Sequence, residues 1–537
     1  MKSIYSIAAA AMLFTATSCV DDLDVKNIDP NVNSETTAEM LFNKCYATLG
    51  LQGQSGPSGD CDLDGIDGGT AGVVRQLINS QCLTTDEMIC CWTNDGGIVT
   101  YNNATYTASQ DMLRAYYYRL YFGVTLYNSY LADFGGYDPQ MTAEVRFLRA
   151  LHFFYLMDGW GNVPMPTAVS TSAPKQATTQ EVYDFIESEL LDCVNDLADA
   201  KPSKFGEAGY GRANKAAAWL LLARLYLGAE VYTGTAQWAK AQEYAKKVID
   251  SDFSLNVNGV NGWSAYQMLF MGDNGESSAA NEIILPVLQD GATTQAWCTS
   301  LFCIASTFSD DMYVRDPDVK GGGTTEKWGG NRCRRDLIAK FFNGDPTKAP
   351  ENSDYSGFVT AAGDDRALFF SKNRTLDIDE NNDFKKGYAT VKFVNFHSDG
   401  SDTHNTQHVD MDYPLMRKAE AYLIYAETFA RLNGGNCGTG SDGLAAINKI
   451  RARANASQLP SANLDDICDE WSREFYFEGF RRTTLIRFNR FGGDTGYTWQ
   501  WKGGSYNGTT IPAFRNLFPI PETDLNANSN LVQNPGY

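Results

Sequence analysis

Paired segments with apolar residues at helical spacing constrain the fold of this 537-residue chain more than any other feature. The spacing predicts one helix from Arg212 to Leu227 and a second from Trp238 to Ile249, joined by a short turn at residues 232–234. Small residues, among them Ala217 and Ala245, would let the two helices approach closely. A helix, a turn and a helix within about 34 residues form the tetratricopeptide unit, which repeats along a chain.

Other segments follow the same pattern. The predicted elements are a helix with its N-cap at Thr142 and its end near Gly159, a hairpin with helices at Met416–Leu432 and Gly443–Ala454, and one more helix at Leu464–Phe488. Such hairpins stack side by side, because no single hairpin buries its own apolar face. The predicted fold class is therefore mostly α, with tetratricopeptide-like helical hairpins packed against an irregular, loop-rich region.

Long tracts rich in Gly, Asp and Asn separate the helical segments. They cover residues 51–72, 93–110, 251–335 and 343–413. Loops of more than about 12–15 residues are uncommon as simple connectors in a compact domain. We therefore expect the ligand-binding residues in these tracts.

The first residues read as a lipoprotein signal. Lys2 provides a positive start, residues 7–14 form a short apolar run, and small residues lead to Cys19. The interpretation is a signal peptide at residues 1–18 and lipid attachment at Cys19, which would anchor the mature chain to a membrane. An ordinary cleaved signal with an incidental cysteine is the alternative. Residues 19–537 show no linker and are predicted to form a single body.

The composition argues against some classes of partner. Lys and Arg total 44 against 65 Asp and Glu, a formal charge of -21, which repels phosphate backbones, so no nucleic acid partner is expected. Aromatic residues make up 12% of the chain, more than most cores require, and some are expected to face a ligand. The twelve cysteines show no metal-ligand spacing, so most are interpreted as small buried apolar residues.

Five motifs in a fixed order behind the leader resemble the SusD/RagB family of outer-membrane nutrient-binding lipoproteins. They are Glu144–Ala150 with Gly161–Pro164, Gly211–Ala217, Arg417–Leu423, Arg473–Arg482 and Gln533–Tyr537. The resemblance spans nearly the whole chain. It implies about four tetratricopeptide-like units and a lipid-anchored protein on the outer cell surface, which packs against a SusC-like TonB-dependent transporter and serves as its lid.

The resemblance is greatest to the starch-binding members of this family in gut Bacteroidetes, and it implies a glycan-binding site. The residues that match the family's contact positions are Trp92, Trp297, Trp328, Asp67, Arg75, Asp95 and Asn94. The residue types suit this role, since the C–H-rich face of a sugar ring lies on an indole plane while charged groups hydrogen-bond its hydroxyls. Three indoles in an arc would favour a curved chain.

The chain departs from the starch-binding pattern at two positions. Cys90 stands where those members carry another Trp, and Asp95, or the neighbouring Asn94, replaces an Asn that contacts sugar. Starch specificity is therefore not implied. Another neutral glycan, such as a fructan, would use the same scaffold with changed contacts.

Each site residue also has a purely structural interpretation. Trp92 and Trp328 lie in Gly-rich, polar surroundings, which favours ligand contact, but either ring could serve packing instead. Trp297 follows a predicted strand at residues 283–285 that could bury it. Arg75 could form a structural salt bridge with Asp67.

Signs of catalysis or metal binding are weak. No GxSxG, HExxH or P-loop pattern occurs. His404 and His408 have i, i+4 spacing but no helical context, and residues 377–383 imitate only the start of a calcium loop. A looser calcium site near Asp273 is the one cofactor considered.

These observations predict a cell-surface glycan-binding lipoprotein that is not an enzyme. It would capture starch-type or other neutral oligosaccharides and deliver them to a SusC-like transporter. One alternative is a peptide-capturing lid of the RagB type. The other is a glycoside hydrolase, since acidic residues are abundant.

Overall fold

Helices form the framework of the chain, which a computed structural model describes for residues 36–59 and 61–537. The helices are α1 (Ala38–Gly50), α2 (Val73–Ile78), α3 (Ile98–Asn102), α4 (Asp111–Phe134), α5 (Pro139–Trp160), α6 (Thr179–Cys193), α7 (Lys215–Leu227), α8 (Ala229–Thr233), α9 (Trp238–Ile249), α10 (Ser300–Ala305), α11 (Arg335–Phe341), α12 (Tyr355–Ala362), α13 (Lys418–Leu432), α14 (Asp442–Arg453), α15 (Leu464–Phe475), α16 (Arg481–Arg487) and α17 (Glu522–Ala527). The predicted leader and Cys19 lie outside the described residues.

The long helices pack as antiparallel neighbours in chain order. Helix α4 packs on α5, α5 on α6, α7 on α9, and α13 on α14, while α9 also lies against α13 and so joins two hairpins. The two helices α7 and α9 contribute small side chains to the core, since Ala217, Ala241 and Ala245 are fully buried. The mostly α fold class with stacked helical hairpins is confirmed.

The starts of three predicted helices were wrong by a few residues. The helix predicted from Arg212 begins at Lys215, after its N-cap Asn214. Asp138, not Thr142, caps α5, and its carboxylate accepts the backbone N–H of Met141 at 2.7 Å. Pro139 at the first helical position favours this earlier start, since its missing N–H costs nothing there. Helix α13 begins at Lys418 because Met416 belongs to a strand.

The single helix predicted at Leu464–Phe488 was also wrong, because the chain breaks into α15 and α16. Between them Phe477 (φ 64°) and Gly479 (φ 84°) adopt left-handed backbone. Lys392 stabilises the break by donating to the carbonyl of Tyr476 at 2.7 Å. Apolar periodicity continues through this segment, so the sequence pattern alone predicted no interruption.

Short antiparallel strand pairs organise the long loops. The strands are β1 (Met88–Cys90), β2 (Val163–Pro164), β3 (Gln176–Ala177), β4 (Ile283–Val287), β5 (Asn331–Cys333), β6 (Phe369–Phe370), β7 (Ala389–Thr390), β8 (Tyr413–Arg417), β9 (Asn436–Cys437) and β10 (Ala462–Asn463). They pair as β1–β5, β2–β3, β4–β8, β6–β7 and β9–β10. The strand predicted at residues 283–285 is β4, and it pairs with β8 just before α13.

A network of buried ion pairs lies where these loops meet the helices. The guanidinium of Arg417 bonds Glu474 at 2.5 Å and Glu478 at 2.8 Å, and all three side chains are almost fully excluded from solvent. Arg366 forms an ion pair at 2.8 Å with Glu470, which lies on α15 together with Glu474. Removing one member of such a network would leave a buried charge without a partner, which is strongly destabilising.

All eleven cysteines within residues 36–59 and 61–537 are free. Nine of them are buried, which agrees with the interpretation of most cysteines as small buried apolar residues.

Among the described helices, none combines the length and the apolar character needed to cross a bilayer.

Candidate functional site

Three half-buried indole rings from distant parts of the sequence meet at one place on the surface. The ring centroids of Trp92 and Trp328 are 6.4 Å apart, and those of Trp328 and Trp297 are 6.2 Å apart. The planes are tilted by 56° and 48° between successive rings. We call these three rings the indole cluster; the structure brings together all three tryptophans selected from the sequence.

The β1–β5 pair sets the spacing of two of these rings. Trp92 follows β1 and Trp328 precedes β5, and the backbone N–H of Cys91 donates to the carbonyl of Gly330 at 3.0 Å between them. The indole of Trp92 lies directly over Gly330 and donates its N–H to the carbonyl of Trp328 at 3.4 Å. The strand register therefore fixes the two rings relative to each other.

Polar side chains hold Trp328 and Trp297 from the other side. The carboxylate of Glu326 accepts the indole N–H of Trp328 at 2.6 Å and the side-chain amide of Gln407 at 2.8 Å. The ring of His408, from the same loop as Gln407, lies 4.9 Å from that of Trp297. The loop at residues 403–410 thus supports both rings, and burial lowers the pKa of His408.

Arg75 and the loop before α2 lie beside the indole cluster. The Arg75 guanidinium donates to the carbonyl of Gly69 at 2.7 Å, and it stacks near the rings of Phe302 (5.0 Å) and Trp92 (5.8 Å). Asp67, on the same loop, is exposed and accepts the hydroxyl of Thr70 at 3.0 Å. The two side chains do not form a salt bridge within 4 Å in the described part of the chain, so the structural pairing considered for Arg75 is not observed.

Arg75 is largely buried and has a donor atom that no described residue uses. Its side chain is 92% buried, and its Nε is buried with no partner among the described residues. Burial lowers the pKa of Arg75, and the nearby carboxylates of Asp95 and Asp67 only partly offset this. A buried cation with unused donors gains from any hydroxyl that reaches it.

The remaining predicted positions differ in their placement. Asn94 and Asp95 are exposed in the turn after Trp92, where the N–H of Asp95 donates to the carbonyl of Trp92 at 3.0 Å. Asp95 and Asp67 line one open cleft of about 350 Å³ beside the cluster. Cys90, in contrast, is fully buried in β1, so position 90 presents no side chain to this surface.

Residues missed from the sequence complete the site. Glu326, Gly330 and His408 hold the indoles, and Phe302 packs edge-on to Trp92 at 6.3 Å. Glu326 lies two residues before Trp328 and could have been noticed as a carboxylate next to a selected indole. The other three have no local signal, because their roles depend on contacts between distant segments.

The structure gives little support to a metal site. Asp273 is mostly buried, accepts the hydroxyl of Ser398 and leaves its Oδ1 without a partner among the described residues. Within residues 36–59 and 61–537, no group of three His, Cys, Asp or Glu side chains is arranged to hold a metal ion. Calcium at Asp273 stays a prediction that this carboxylate alone does not establish.

The arrangement suits a ligand with flat apolar faces and a polar edge. The indole planes offer surfaces for C–H groups, while Asp67, Asp95 and Arg75 surround them with acceptors and donors. The exposed charged groups are mainly carboxylates, which disfavour an anionic ligand.

Comparison with known families gives two matches. The profile of the "SusD family" matches residues 253–537. A second profile, described as "Starch-binding associating with outer membrane", matches residues 74–227. The two matched segments contain Trp92, Trp297 and Trp328, together with most of the helical framework.

Individual proteins are similar over nearly the full length. The starch-binding protein SusD of Bacteroides thetaiotaomicron is 36% identical over 572 aligned positions, which cover 100% of this chain and 99% of that protein. Among solved structures, a laminarin-binding SusD-like protein superposes with a TM-score of 0.65 at 21% identity, covering 94% and 99% of the two chains. A SusD-like protein from Bacteroides fragilis gives 0.67 at 19% identity, covering 93% and 96%. These two structures show that the fold is shared.

Proposed function

The chain belongs to the SusD family, and from this premise we propose that it is a cell-surface protein that captures oligosaccharides for import. The observation that carries the proposal is the indole cluster, whose rings lie 6.2–6.4 Å apart on the surface with polar groups beside them. A 36% identical relative is named a starch-binding protein, and a structural neighbour binds laminarin. Both names refer to neutral glucose polymers.

The preferred ligand is a neutral glycan. Asp67 and Asp95 are exposed beside the cluster. Arg75 is buried, so its positive charge does not cancel the exposed negative charge of these two carboxylates, although it can donate hydrogen bonds. The chain as a whole carries a formal charge of -21. Uronate-rich or sulfated glycans would therefore be repelled, while starch, laminarin-like glucans and fructans would not.

The setting of this capture is part of the proposal. One matched family is described as associating with the outer membrane. We propose that lipid at Cys19 anchors the chain there, and that it covers a SusC-like TonB-dependent transporter as its lid. The helical hairpins would provide the rigid surface for that contact, while the loops between them hold the glycan.

We propose further that the protein carries out no chemistry on its ligand. A glycoside hydrolase needs a carboxyl group with a raised pKa at the sugar. Burial raises the pKa of Glu87 and of Asp412 to about 7 and also raises that of the half-buried Asp365 and Asp524. None of these four carboxyl groups lines the cleft beside the indole cluster. Binding without cleavage therefore agrees best with the geometry.

Affinity electrophoresis on a panel of polysaccharides tests the proposal. Amylopectin, laminarin, inulin and a charged pectin would each be cast in native gels. We expect at least one neutral polymer to retard the protein, and Trp92→Ala and Trp328→Ala each to weaken binding at least about tenfold, or about 1.4 kcal/mol. Trp219→Ala, on the outer side of α7, is the matched control and should bind normally.

Each alternative function has its own outcome in this design. Undiminished retention of both indole variants would reject the site. Binding of oligopeptides with no retention by any polysaccharide would favour the peptide-capturing alternative. Release of reducing sugar from a retained polymer would show a hydrolase.

A further inference from the structure

A second pair of aromatic residues lies on a polar loop away from the indole cluster. Trp501 and Tyr506 have ring centroids 6.2 Å apart at 87°, so the two rings form a corner. Tyr506 is 36% exposed, and its hydroxyl has no hydrogen bond within the described residues. The segment between and after them, residues 503–510, consists of Gly, Ser, Thr and Asn around the tyrosine and is mostly exposed.

The backbone of this loop is held in an unusual conformation. Trp501 adopts left-handed backbone (φ 71°), which is strained for a bulky residue and persists only when its surroundings impose it. Its indole N–H donates to the carbonyl of Ile378 at 2.8 Å, and its backbone N–H donates to that of Tyr506 at 3.3 Å. The surroundings thus keep both rings in place on the surface.

Two amide side chains of this region have buried atoms without a hydrogen-bond partner in the described part of the chain. Gln500 precedes Trp501 and is 3% exposed, and its Nε2 has no partner among the described residues. The side chain of Asn103 lies against Gly504, and its Oδ1 is likewise buried and unsatisfied. Buried amide groups without partners are costly unless a ligand or water completes them. Amide groups hydrogen-bond sugar hydroxyls, and aromatic rings contact the C–H faces of sugars.

Two short connections join this loop to the indole cluster. Helix α3, five residues or about 7.5 Å long, separates the turn at Asp95 from Asn103. On the other side, Arg332 of β5 donates to the carbonyl of Asn381 at 2.9 Å, on the same loop as Ile378. Both aromatic sites are therefore fixed to the same small part of the structure.

We propose that Trp501 and Tyr506 form a second contact site for a neutral polysaccharide, distinct from the indole cluster. This inference rests on the proposed function, since it assigns the second site to the same polymer. A long chain that touches both sites gains avidity, because its second contact is intramolecular. A short oligosaccharide occupies the indole cluster alone and gains nothing from the second site.

The test compares a polymer with its own short oligosaccharide on the full chain. The probe is the polysaccharide among amylopectin, laminarin and inulin that retains the wild type, together with its hexasaccharide measured by calorimetry. Tyr506→Ala is the decisive variant, since it removes an exposed ring whose hydroxyl has no partner among the described residues. We expect about tenfold weaker polymer binding and an unchanged Kd for the hexasaccharide. Tyr137→Ala, another exposed tyrosine on the turn between α4 and α5, is the matched control and should change neither.

A triple variant sharpens the result. Trp92→Ala with Trp328→Ala should abolish hexasaccharide binding but leave weak retention by the polymer, and adding Tyr506→Ala should remove that remainder. Unchanged polymer binding in Tyr506→Ala, as expected if these rings contact a protein instead, would overturn the inference. An equal loss for polymer and hexasaccharide would also overturn it, because the sites would not be distinct. A wild type retained by no polysaccharide would reject the proposed function itself.

Discussion

The indole of Trp92 lies so close to the backbone of Gly330 that an ideal Cβ at position 330 would be 2.3 Å from its Cε2 atom. Gly330→Ala must therefore displace the ring. We expect glycan binding to weaken at least about fivefold, and the free energy of unfolding to fall by about 1–3 kcal/mol from overpacking. Affinity electrophoresis and urea denaturation would measure the two effects.

Gly136→Ala is the control for this change. A Cβ at Gly136 would have no atom within 4 Å, and this glycine does not have left-handed backbone. Both glycan binding and stability should stay close to wild type. Normal binding by Gly330→Ala would show that the orientation of Trp92 is unimportant.

The carboxylate of Glu326 is expected to position Trp328. Both of its oxygens accept hydrogen bonds, from the indole N–H and from the amide of Gln407, so Glu326→Gln loses one acceptor while keeping the shape. The expected cost is about 1 kcal/mol in glycan affinity, or about fivefold in Kd. Calorimetry would measure it, with exposed Glu522→Gln as control; an unchanged Kd would mean that packing alone holds the ring.

Among the buried ion pairs described above, substitution of Arg417 is expected to lower the free energy of unfolding most. Arg417→Met leaves Glu474 and Glu478 without one of their cations, and breaking a buried pair costs about 3–5 kcal/mol. Chemical denaturation would record the loss. Arg335→Met breaks the exposed pair with Asp377 and should cost at most about 1 kcal/mol. Similar losses in both variants would contradict the importance given to burial.

The same network predicts sensitivity to acid. Burial opposes the ionisation of Glu470 and Glu474, but the charges of neighbouring arginines outweigh it. Arg366 acts on Glu470, while Arg453 and Arg417 act on Glu474. The pKa of each carboxyl is lowered to about 2. A lowered pKa favours the folded state above the ordinary value of about 4.3. This stability is lost as the pH falls from about 4.3 towards 2. Unfolding free energies measured across this range should decline, and a flat profile would contradict the assignment.

Local periodicity accounts for the parts of the framework that were predicted well. Helix α9 has the predicted ends, because its alternation of Ala and charged residues is amphipathic throughout and Gly234 precedes it. The break between α15 and α16 was not predictable in this way. Lys392, about eighty residues earlier in the sequence, bonds a carbonyl that a continuous helix would use itself.

The candidate site was predictable only in part. The three indoles were chosen by resemblance to a family, and no spacing rule places Trp92 beside Trp328, more than two hundred residues later. Cys90 shows the limit of position-by-position comparison, since a buried strand residue stands where starch-binding members carry a Trp. Glu326 and Gly330 are recognisable only once the strand pairing is known.

The pairing of β1 with β5 has a consequence for how such a binder changes over time. This one strand pair sets the distance between the indoles of Trp92 and Trp328, while the hydrogen-bonding groups around them come from separate loops. Mutations in those loops can change which hydroxyls are recognised without changing the distance between the rings. Such a division would let related binders acquire new glycan specificities while inheriting the same ring spacing.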